Sequence, residues 1–260
     1  MNDRKRAVRY GISFVILAVL LIFLFIWNVN SGSIHLSVQE ILNIIFRHQG
    51  DETSYNIVWE IRLPRILAVI ILGGALSVSG FLLQTFFNNP IAGPFVLGIS
   101  SGAKLIVALL MIFLLSRSVS IGSGAMILAA FAGSMISMGF VLLVAKKVHN
   151  MSMLVISGVM IGYICSAITD FVVTFADDSN IVNLHNWSLG SFSGMTWGNV
   201  RTMAVVVLLT MVIVFFMSKP ISAYQLGETY AQNMGVNIKV FRILLILLSS
   251  ILSACVTAFA

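Results

Sequence analysis

The feature that most constrains this chain is a series of apolar runs, each nearly free of charge. A helix rises about 1.5 Å per residue, so roughly 20 residues cross the hydrocarbon core of a bilayer. With 59% hydrophobic and 9% charged residues, the sequence predicts an all-α, polytopic transmembrane helix bundle. Seven runs are long enough to be spans, at about residues 10–27, 66–87, 94–115, 121–145, 153–176, 198–217 and from 241 onward.

The remaining composition argues against several other classes. The net charge of +6 comes from bases scattered between the runs, without aromatics on one soluble face, so no nucleic-acid partner is expected. The four histidines lie in different connections and the two cysteines lie inside apolar runs, so no metal site and no cofactor are expected. These residues are His35, His48, His149, His185, Cys165 and Cys255.

The stretch GISSGAKL, from Gly98 to Leu105, looks superficially like a phosphate-binding loop. Its glycines are one residue too close together, and neither Lys-Ser nor Lys-Thr follows. No GxSxG turn or acid-oriented histidine is visible, which disfavours an intramembrane hydrolase. We therefore expect that the chain is not an enzyme and that any ATP-driven work is done by a partner.

The distribution of bases predicts the orientation of the spans. The first run follows a basic start but is long and has no small-residue cleavage site after it, so it is read as a retained span. Most bases outside the spans lie on the same side as the N-terminus, which predicts a cytoplasmic N-terminus. Arg62 and Arg65 then lie at the external end of the second span, while residues 88–94 and 218–242 face the cytosol.

Three connections have a structure of their own. The piece LSVQEILNIIF, residues 36–46, repeats apolar residues at helical spacing and predicts a helix on the membrane surface. The polar stretch 177–197 could hold one short helix near the interface. Residues 218–242 predict two short helices separated at Gly235. Their apolar stripe, which favours docking of a soluble partner, consists of Leu226, Tyr230 and Met234.

Small residues and charges inside the spans leave alternatives open. Small residues in spans two and five permit close helix packing, or one of these faces lines a pathway. Two charges lie within spans, Lys104 and Asp170, and such charges are functional candidates that either pair with each other or reach nearer polar groups. The small residues are Gly73, Gly74, Ser77, Gly80, Ser157, Gly158, Gly162 and Ser166.

Five motifs together resemble one known family. In order, RLPR, GGALSVSGFLLQ, NNPIAGPFVLGISSGA, LVISGVMIGYICSA and LGETYAQNMGV are similar to the FecCD/BtuC-like permeases of ABC importers for iron-siderophores, haem and cobalamin. The resemblance implies one permease domain over residues 1–260, with cytosolic coupling helices at 218–242. Such permeases have ten spans, so the chain is expected to be incomplete at its C-terminus.

The resemblance also implies roles for individual residues. Arg62 and Arg65 match arginines that dock acidic residues of a binding protein, which suits the planar guanidinium. Asn89, Ile91 and Ser152 match loops that close the cytosolic end of the pathway. Coupling to the ATPase falls on Leu226, Gly227, Glu228, Ala231 and Gly235, and the pathway-lining candidates are Gly158, Gly162, Ser166 and Asp170.

The resemblance finally implies partners, location and substrate. The partners are ATP-binding-cassette ATPase subunits, an extracytoplasmic substrate-binding protein, a second permease subunit in a homo- or heterodimer, and the bilayer of the bacterial plasma membrane. The expected activity is import of an iron(III)-siderophore by alternating access. Haem or cobalamin import remains an alternative, as does an ion-coupled secondary transporter, which can also contain intramembrane charges.

Overall fold

The computed structural model describes residues 3–32, 36–47, 51–90, 92–115, 123–147 and 151–260. Every regular element in these ranges is helical and none is a strand, which confirms the predicted all-α bundle. Six of the described helices are long and apolar enough to cross a membrane, and a shorter apolar helix covers Ile99–Ile112. Each of the seven predicted runs therefore contains one apolar helix.

The helices follow one another with short connections. A π-helical turn, Ile57–Arg62, leads into the fourth helix, and a 3₁₀ turn, Pro94–Leu97, precedes the fifth. The α-helices of the described ranges are α1 (Asp3–Asn30), α2 (Val38–Arg47), α3 (Glu52–Asn56), α4 (Leu63–Phe87), α5 (Ile99–Leu115), α6 (Ser123–Lys147), α7 (Met151–Val173), α8 (Asp178–Ser188), α9 (Trp197–Phe216), α10 (Ser218–Gln225), α11 (Glu228–Asn233) and α12 (Ile238–Phe259).

The chain forms two compact units, described separately below. The first comprises residues 1–69 and 193–200, and the second comprises residues 70–192 and 201–260. Most apolar side chains of α1 are exposed, as expected for a helix whose surroundings are lipid. The core of the first unit lies instead around the end of α1, α2 and the start of α4, and it consists of Val29, Leu36, Ile41, Ile44, Val58, Leu63 and Ile66.

Helix α2 confirms the helix predicted from residues 36–46. It buries Ile41 and Ile44 on one face. Its start is a capping box, because the Ser37 backbone N–H donates to Glu40 Oε2 over 2.8 Å and the Glu40 N–H donates to Ser37 Oγ over 3.2 Å. The hydrogen bond from the Ser37 backbone, helped by the Ser37 hydroxyl, lowers the pKa of Glu40 from its usual value.

The second membrane helix begins earlier than the sequence indicated. The sequence predicted a span that begins at residue 66, whereas helical structure runs without a break from Glu52 to Phe87. Asp51 caps its start by accepting a hydrogen bond from the Ser54 N–H over 3.4 Å. Pro64 lies in the first turn of α4, directly after the π-helical turn, where a proline without an N–H can be accommodated.

Hydroxyl groups join α4 to α12 in the second unit. Ser79 Oγ lies 2.8 Å from Ser249 Oγ and 2.6 Å from Ser253 Oγ, and Ser249 Oγ donates to the Ser79 carbonyl over 3.0 Å. All three serines are buried. Helices in lipid gain no hydrophobic drive from association, so such hydrogen bonds and close packing hold the pair together.

The closest helix approach is between α5 and α6. A Cβ on Gly102 would lie 1.9 Å from Ser137 Oγ, and one on Gly133 would lie 2.2 Å from the Gly102 carbonyl oxygen. By contrast, Gly73 and Gly80 of α4 have no other described atom within 4 Å of such a position. Of the glycines that the sequence singled out in span two, only Gly74 therefore lies near another helix in the described part of the chain, with a Cβ position 3.5 Å from Met211 Cε.

Candidate functional site

The connection between α4 and α5 enters the depth of the bundle without forming a regular helix. Asn88 has a positive φ of 47° and its N–H donates to the Thr85 carbonyl, while Gly98 has a φ of 67°. The sequence predicted a span from Pro94, but the regular helix begins only at Ile99. The reason is the left-handed conformation of Gly98, which separates the 3₁₀ turn from α5.

Gly98 contacts α7, and the position of these contacts along α7 shows how far the segment extends into the bundle. A Cβ on Gly98 would lie 2.8 Å from the Gly162 nitrogen and 3.0 Å from the Gly158 carbonyl oxygen. Gly162 lies roughly 16 Å along α7 from Met151, at 1.5 Å per residue. Because successive spans alternate in direction, α7 begins at the face where α4 ends. Gly98 therefore lies beside the middle of α7, a helix of 23 residues that is long enough to cross a bilayer core of about 30 Å.

Non-helical backbone at such depth is tolerated only where protein buries it or where it lines a cavity. Both conditions hold here. Gly98 is buried against α7, and Pro94 and Phe95 line a cavity of about 570 Å³ in the second unit. Polar side chains from several helices line the same cavity: Ser100, Ser101, Lys104, Ser166, Ser188, Ser253 and Thr257.

The four pathway-lining candidates on α7 differ in burial and in whether they line the cavity. Gly158 and Gly162 are buried against Gly98, behind the cavity wall. Ser166 lies on the wall itself, and its Oγ is 3.4 Å from Ser101 Oγ. Asp170, one turn further, is exposed and is not part of the cavity lining. Among the described residues no ion pair joins Asp170 to Lys104, so these two charges do not pair with each other.

The segment 218–242 contains two short helices, as predicted, but they are separated elsewhere. The break lies at Leu226 and Gly227, where Gly227 has a φ of 126°. Gly235, with a φ of 86°, instead separates α11 from α12. The prediction of a break at Gly235 between the two short helices was therefore wrong. Both glycines have a positive φ that favours glycine, and the sequence alone did not indicate which of them separates the two short helices.

The apolar stripe of this segment is exposed. Leu226 is 72% exposed, Met234 is 66% exposed and Tyr230 is 47% exposed, whereas Ala231 is buried against the bundle. A large exposed aliphatic side chain in a polar connection is typical of an interaction surface. We name this surface the 226–234 patch, defined by Leu226, Tyr230 and Met234.

Glu228 lies beside this patch in sequence, and its carboxylate binds two other side chains of the same protein. Its Oε1 pairs with Arg242 Nη2 and accepts a hydrogen bond from the Tyr224 hydroxyl over 2.9 Å. Burial raises the pKa of Tyr224 further above neutral pH, where a phenol is protonated in any case and can donate this hydrogen bond. We call these three side chains the Glu228 clasp, since they hold the start of α11 to α10 and α12.

A second contact links the same segment to the turn that follows α4. Gln225 Nε2, at the end of α10, donates to Thr85 Oγ1 of α4 over 3.2 Å. Asn89, predicted for the gate, is exposed in that turn, and its N–H donates to the Gln84 carbonyl over 3.1 Å. Ile91 lies outside the described residues. Ser152 is in the first turn of α7, and its side chain also lies outside them.

The two arginines of the first unit differ in environment. Arg62 is buried, and its Nη1 donates to the Val29 carbonyl, in the last turn of α1, over 2.5 Å. That carbonyl has no partner within its own helix, and a cation at a helix C-terminus is favourable. Arg65 is exposed. The sequence predicted a matched pair, whereas the structure buries one guanidinium and exposes the other.

Sequence reasoning predicted Ser166 but missed the other hydroxyl groups of this site. Ser100, Ser101 and Thr257 were not singled out, although the Ser-Ser pair between Gly98 and Gly102 and the serines of α12 were visible in the sequence. A polar pair between two glycines in an apolar run is the signal that could have indicated a cavity wall. Ser100 Oγ and Thr257 Oγ1 lie 3.5 Å apart, which brings α5 and α12 together there.

Comparisons with known proteins agree with this architecture. A family model described as the FecCD transport family matches residues 20–260. The chain is 30% identical over 243 residues to the hemin transport system permease protein HmuU of Yersinia pestis, covering 93% of this chain and 72% of that protein. It is 35% identical over 190 residues to the vitamin B12 import system permease protein BtuC of Salmonella typhi, covering 73% of this chain and 57% of that protein.

A solved structure is similar over most of the fold. It is an ABC transporter assigned to the metal-chelate type, in an inward-facing conformation. The TM-score is 0.80 at 26% sequence identity, and the match covers 94% of this chain and 74% of the other. These likenesses set aside the alternative of an ion-coupled secondary transporter. The chain belongs to the FecCD transport family, and it is a multi-span permease subunit of an ABC importer, a class of subunit that is not itself an enzyme.

Proposed function

We propose that this permease imports an iron(III)-siderophore across the bacterial plasma membrane by alternating access, with its N-terminus in the cytoplasm. The observation that carries the proposal is the likeness to the transporter of the metal-chelate type. The names of two relatives state transport of hemin and import of vitamin B12. Haem and cobalamin are therefore the competing substrates.

Residues 218–242 would couple ATP hydrolysis in the ATPase subunits to movement of the membrane helices. The exposed 226–234 patch supplies an apolar surface for an ATPase subunit, and Gly227 and Gly235 supply the flexible joints on either side of α11. Ala231 is packed inward, and the Glu228 clasp transmits movement of α11 to α12. The Gln225 to Thr85 hydrogen bond then connects α10 to the end of α4, next to the turn at Asn89.

The pathway would run beside α7 and the re-entrant segment 88–98. Asn89, Ile91 and Ser152 close its cytosolic end in this proposal, and Ser166 lines its wall. Gly158 and Gly162 act indirectly, because Gly98 of the re-entrant segment lies against their backbone atoms. Asp170, exposed on the far turn of α7, would face the second permease subunit of a homo- or heterodimer rather than the cavity.

At the outer end, an extracytoplasmic binding protein would dock on the arginines. Arg65 is the exposed member and would meet a carboxylate directly. Arg62 would orient the same surface through its hydrogen bond to Val29. Rim charges of this kind mainly set encounter rate and register, so docking should weaken as salt concentration rises.

The test is uptake by the permease reconstituted with its ATPase and its binding protein. We expect ATP-dependent accumulation of ⁵⁵Fe-labelled siderophore in the vesicles, with chelate-stimulated ATP hydrolysis. Substituting Glu228→Arg should abolish the stimulation, because it places two cations together at the clasp. Stimulation that survives this change would refute the coupling role, and uptake of haem or cobalamin without uptake of ferric siderophore would refute the substrate.

A further inference from the structure

A π-helical turn in the first unit lies immediately before a proline. The turn covers Ile57–Arg62, and the Leu63 N–H donates to the Val58 carbonyl, five residues earlier, rather than to the Trp59 carbonyl, four residues earlier. The next residue is Pro64. A proline inside a helix has no N–H to donate, and its ring clashes with the carbonyl four residues before it. The wider π-helical turn is therefore the local response of the helix to Pro64.

The Trp59 carbonyl accepts a hydrogen bond from another helix. Its α-helical donor would be the Leu63 N–H, which is bonded to Val58, and its π-helical donor would be position 64, where proline has no N–H. The Trp197 indole donates instead, with its Nε1 2.9 Å from the Trp59 oxygen. The two indole rings also pack together, with centroids 5.5 Å apart. Trp197, at the start of α9, thus supplies the donor that the proline lacks.

A second contact holds the end of the same turn. Arg62 is buried, and its Nη1 donates to the Val29 carbonyl at the end of α1. A Cβ on Gly32 would lie 2.9 Å from Arg62 Cζ, so the guanidinium packs on bare backbone there. Relaxing the π-helical turn to α-helical geometry removes one residue from the turn and rotates the flanking segments against each other by about 100°. Trp59 and Arg62 could not then keep both of their contacts.

We propose that Trp197 is a positioning residue for the outer docking surface, because its indole N–H replaces the one that Pro64 lacks and keeps the π-helical turn in place. This inference rests on the proposed docking of a binding protein on Arg62 and Arg65. Arg65 lies three residues after the turn, in the same unit as Trp197. While the turn is kept, Arg65 has a fixed direction relative to α1 and α2. When the turn relaxes, Arg62 leaves the end of α1 and Arg65 rotates with it.

The test measures uptake by the reconstituted importer at increasing concentrations of binding protein loaded with ⁵⁵Fe-labelled siderophore. Trp197→Phe keeps a packed ring and removes the donor, so the half-saturating concentration should rise about fivefold, at the lower end of usual coupling between separate sites. The maximal rate should stay within about twofold, because the substitution acts on docking and not on the later steps. Benzothienylalanine at position 197, an isostere with sulfur in place of the N–H, should have the same effect. A general structural defect would lower the maximal rate instead.

Pro64→Ala tests the link between the proline and the indole. It restores the missing N–H, so the turn can relax, and the half-saturating concentration should again rise about fivefold. In that background Trp197→Phe should add less than about twofold, because the Trp59 carbonyl then has the Leu63 N–H as its donor. Trp27→Phe makes the same change at an exposed tryptophan of α1 and should leave the half-saturating concentration unaltered.

The double variant decides between a shared and a separate role of the two residues. Independent effects that multiply to about 25-fold would overturn the inference. Normal docking by Trp197→Phe and by the benzothienylalanine protein would also overturn it, and either result leaves the proposed function intact. Uptake by the unsubstituted importer that does not depend on the binding protein would overturn both the inference and the proposed docking.

Discussion

Arg242 and Glu228 form an ion pair that joins the second turn of α12 to the start of α11. The Tyr224 hydroxyl donates to the same carboxylate oxygen, so one side chain of α11 holds both neighbouring helices. Both charged side chains are partly exposed, and exposed pairs contribute about 0–1 kcal/mol to stability. The pair is therefore better suited to transmit movement than to stabilise the fold.

Breaking this pair should uncouple ATP hydrolysis more than it destabilises the protein. We expect Arg242→Ala to lower chelate-stimulated ATP hydrolysis about fivefold, which corresponds to roughly 1 kcal/mol of coupling. The melting temperature should change little. The exchange Glu228→Arg with Arg242→Glu should recover much of the loss, and Arg9→Ala, at an exposed arginine of α1, is the control. A swapped protein as inactive as the single variants would contradict a role for the ion pair itself.

The contact of Gly98 with α7 gives a second prediction. An alanine at Gly98 would be held at a φ of 67° with its Cβ 2.8 Å from the Gly162 nitrogen. We expect Gly98→Ala to cost about 2–4 kcal/mol, from the left-handed conformation together with overpacking. Uptake should fall with it, because the re-entrant segment is displaced.

Gly162→Ala is the matched control for that substitution. Its Cβ would meet Gly98 Cα at 3.4 Å, an ordinary contact, and position 162 is helical, so we expect a change within about 1 kcal/mol. Thermal unfolding in detergent and vesicle uptake measure both variants. Equal effects of the two substitutions would show that the backbone conformation of Gly98 is unimportant.

The capping box of α2 gives a prediction about pH. The folded-state pKa of Glu40 lies below the unfolded value near 4.5, so its contribution to stability is fully present above that value. The contribution is lost as pH falls from about 4.5 through the lower folded pKa. At neutral pH, Glu40→Gln should therefore have a lower melting temperature than the unsubstituted protein. The difference between the two melting temperatures should become smaller in acid. A difference that stays constant from pH 7 to pH 3 would argue against an ionised cap.

Features that depend on local sequence were predictable. The seven apolar runs follow from length alone, since a span needs roughly 20 residues whatever surrounds it. The α2 helix was predictable from its apolar spacing, with Ile41 and Ile44 on the buried face. The exposed 226–234 patch was also predicted from four-residue spacing in a polar connection.

Features that depend on how helices rotate against one another were not predictable. Helix α4 is apolar nearly all round, so its sequence does not indicate whether Gly73 or Ser79 faces a neighbour. The start of α5 at Ile99 depends on Gly98 packing against Gly162, a contact distant in sequence. The burial of Arg62 likewise depends on the position of the last turn of α1, which a motif of four residues does not contain.

The late start of α5 makes the two halves of the second unit differ in their number of regular helices. Helix α5 begins beside Gly162, in the middle of α7, so the first half of α7 has one regular helix fewer beside it than the second half. The described residues between α4 and α5 take the place of that helix, and backbone groups outside a regular helix need a partner from protein or water. Water that enters beside them therefore needs no unwinding of a transmembrane helix to reach the middle of α7.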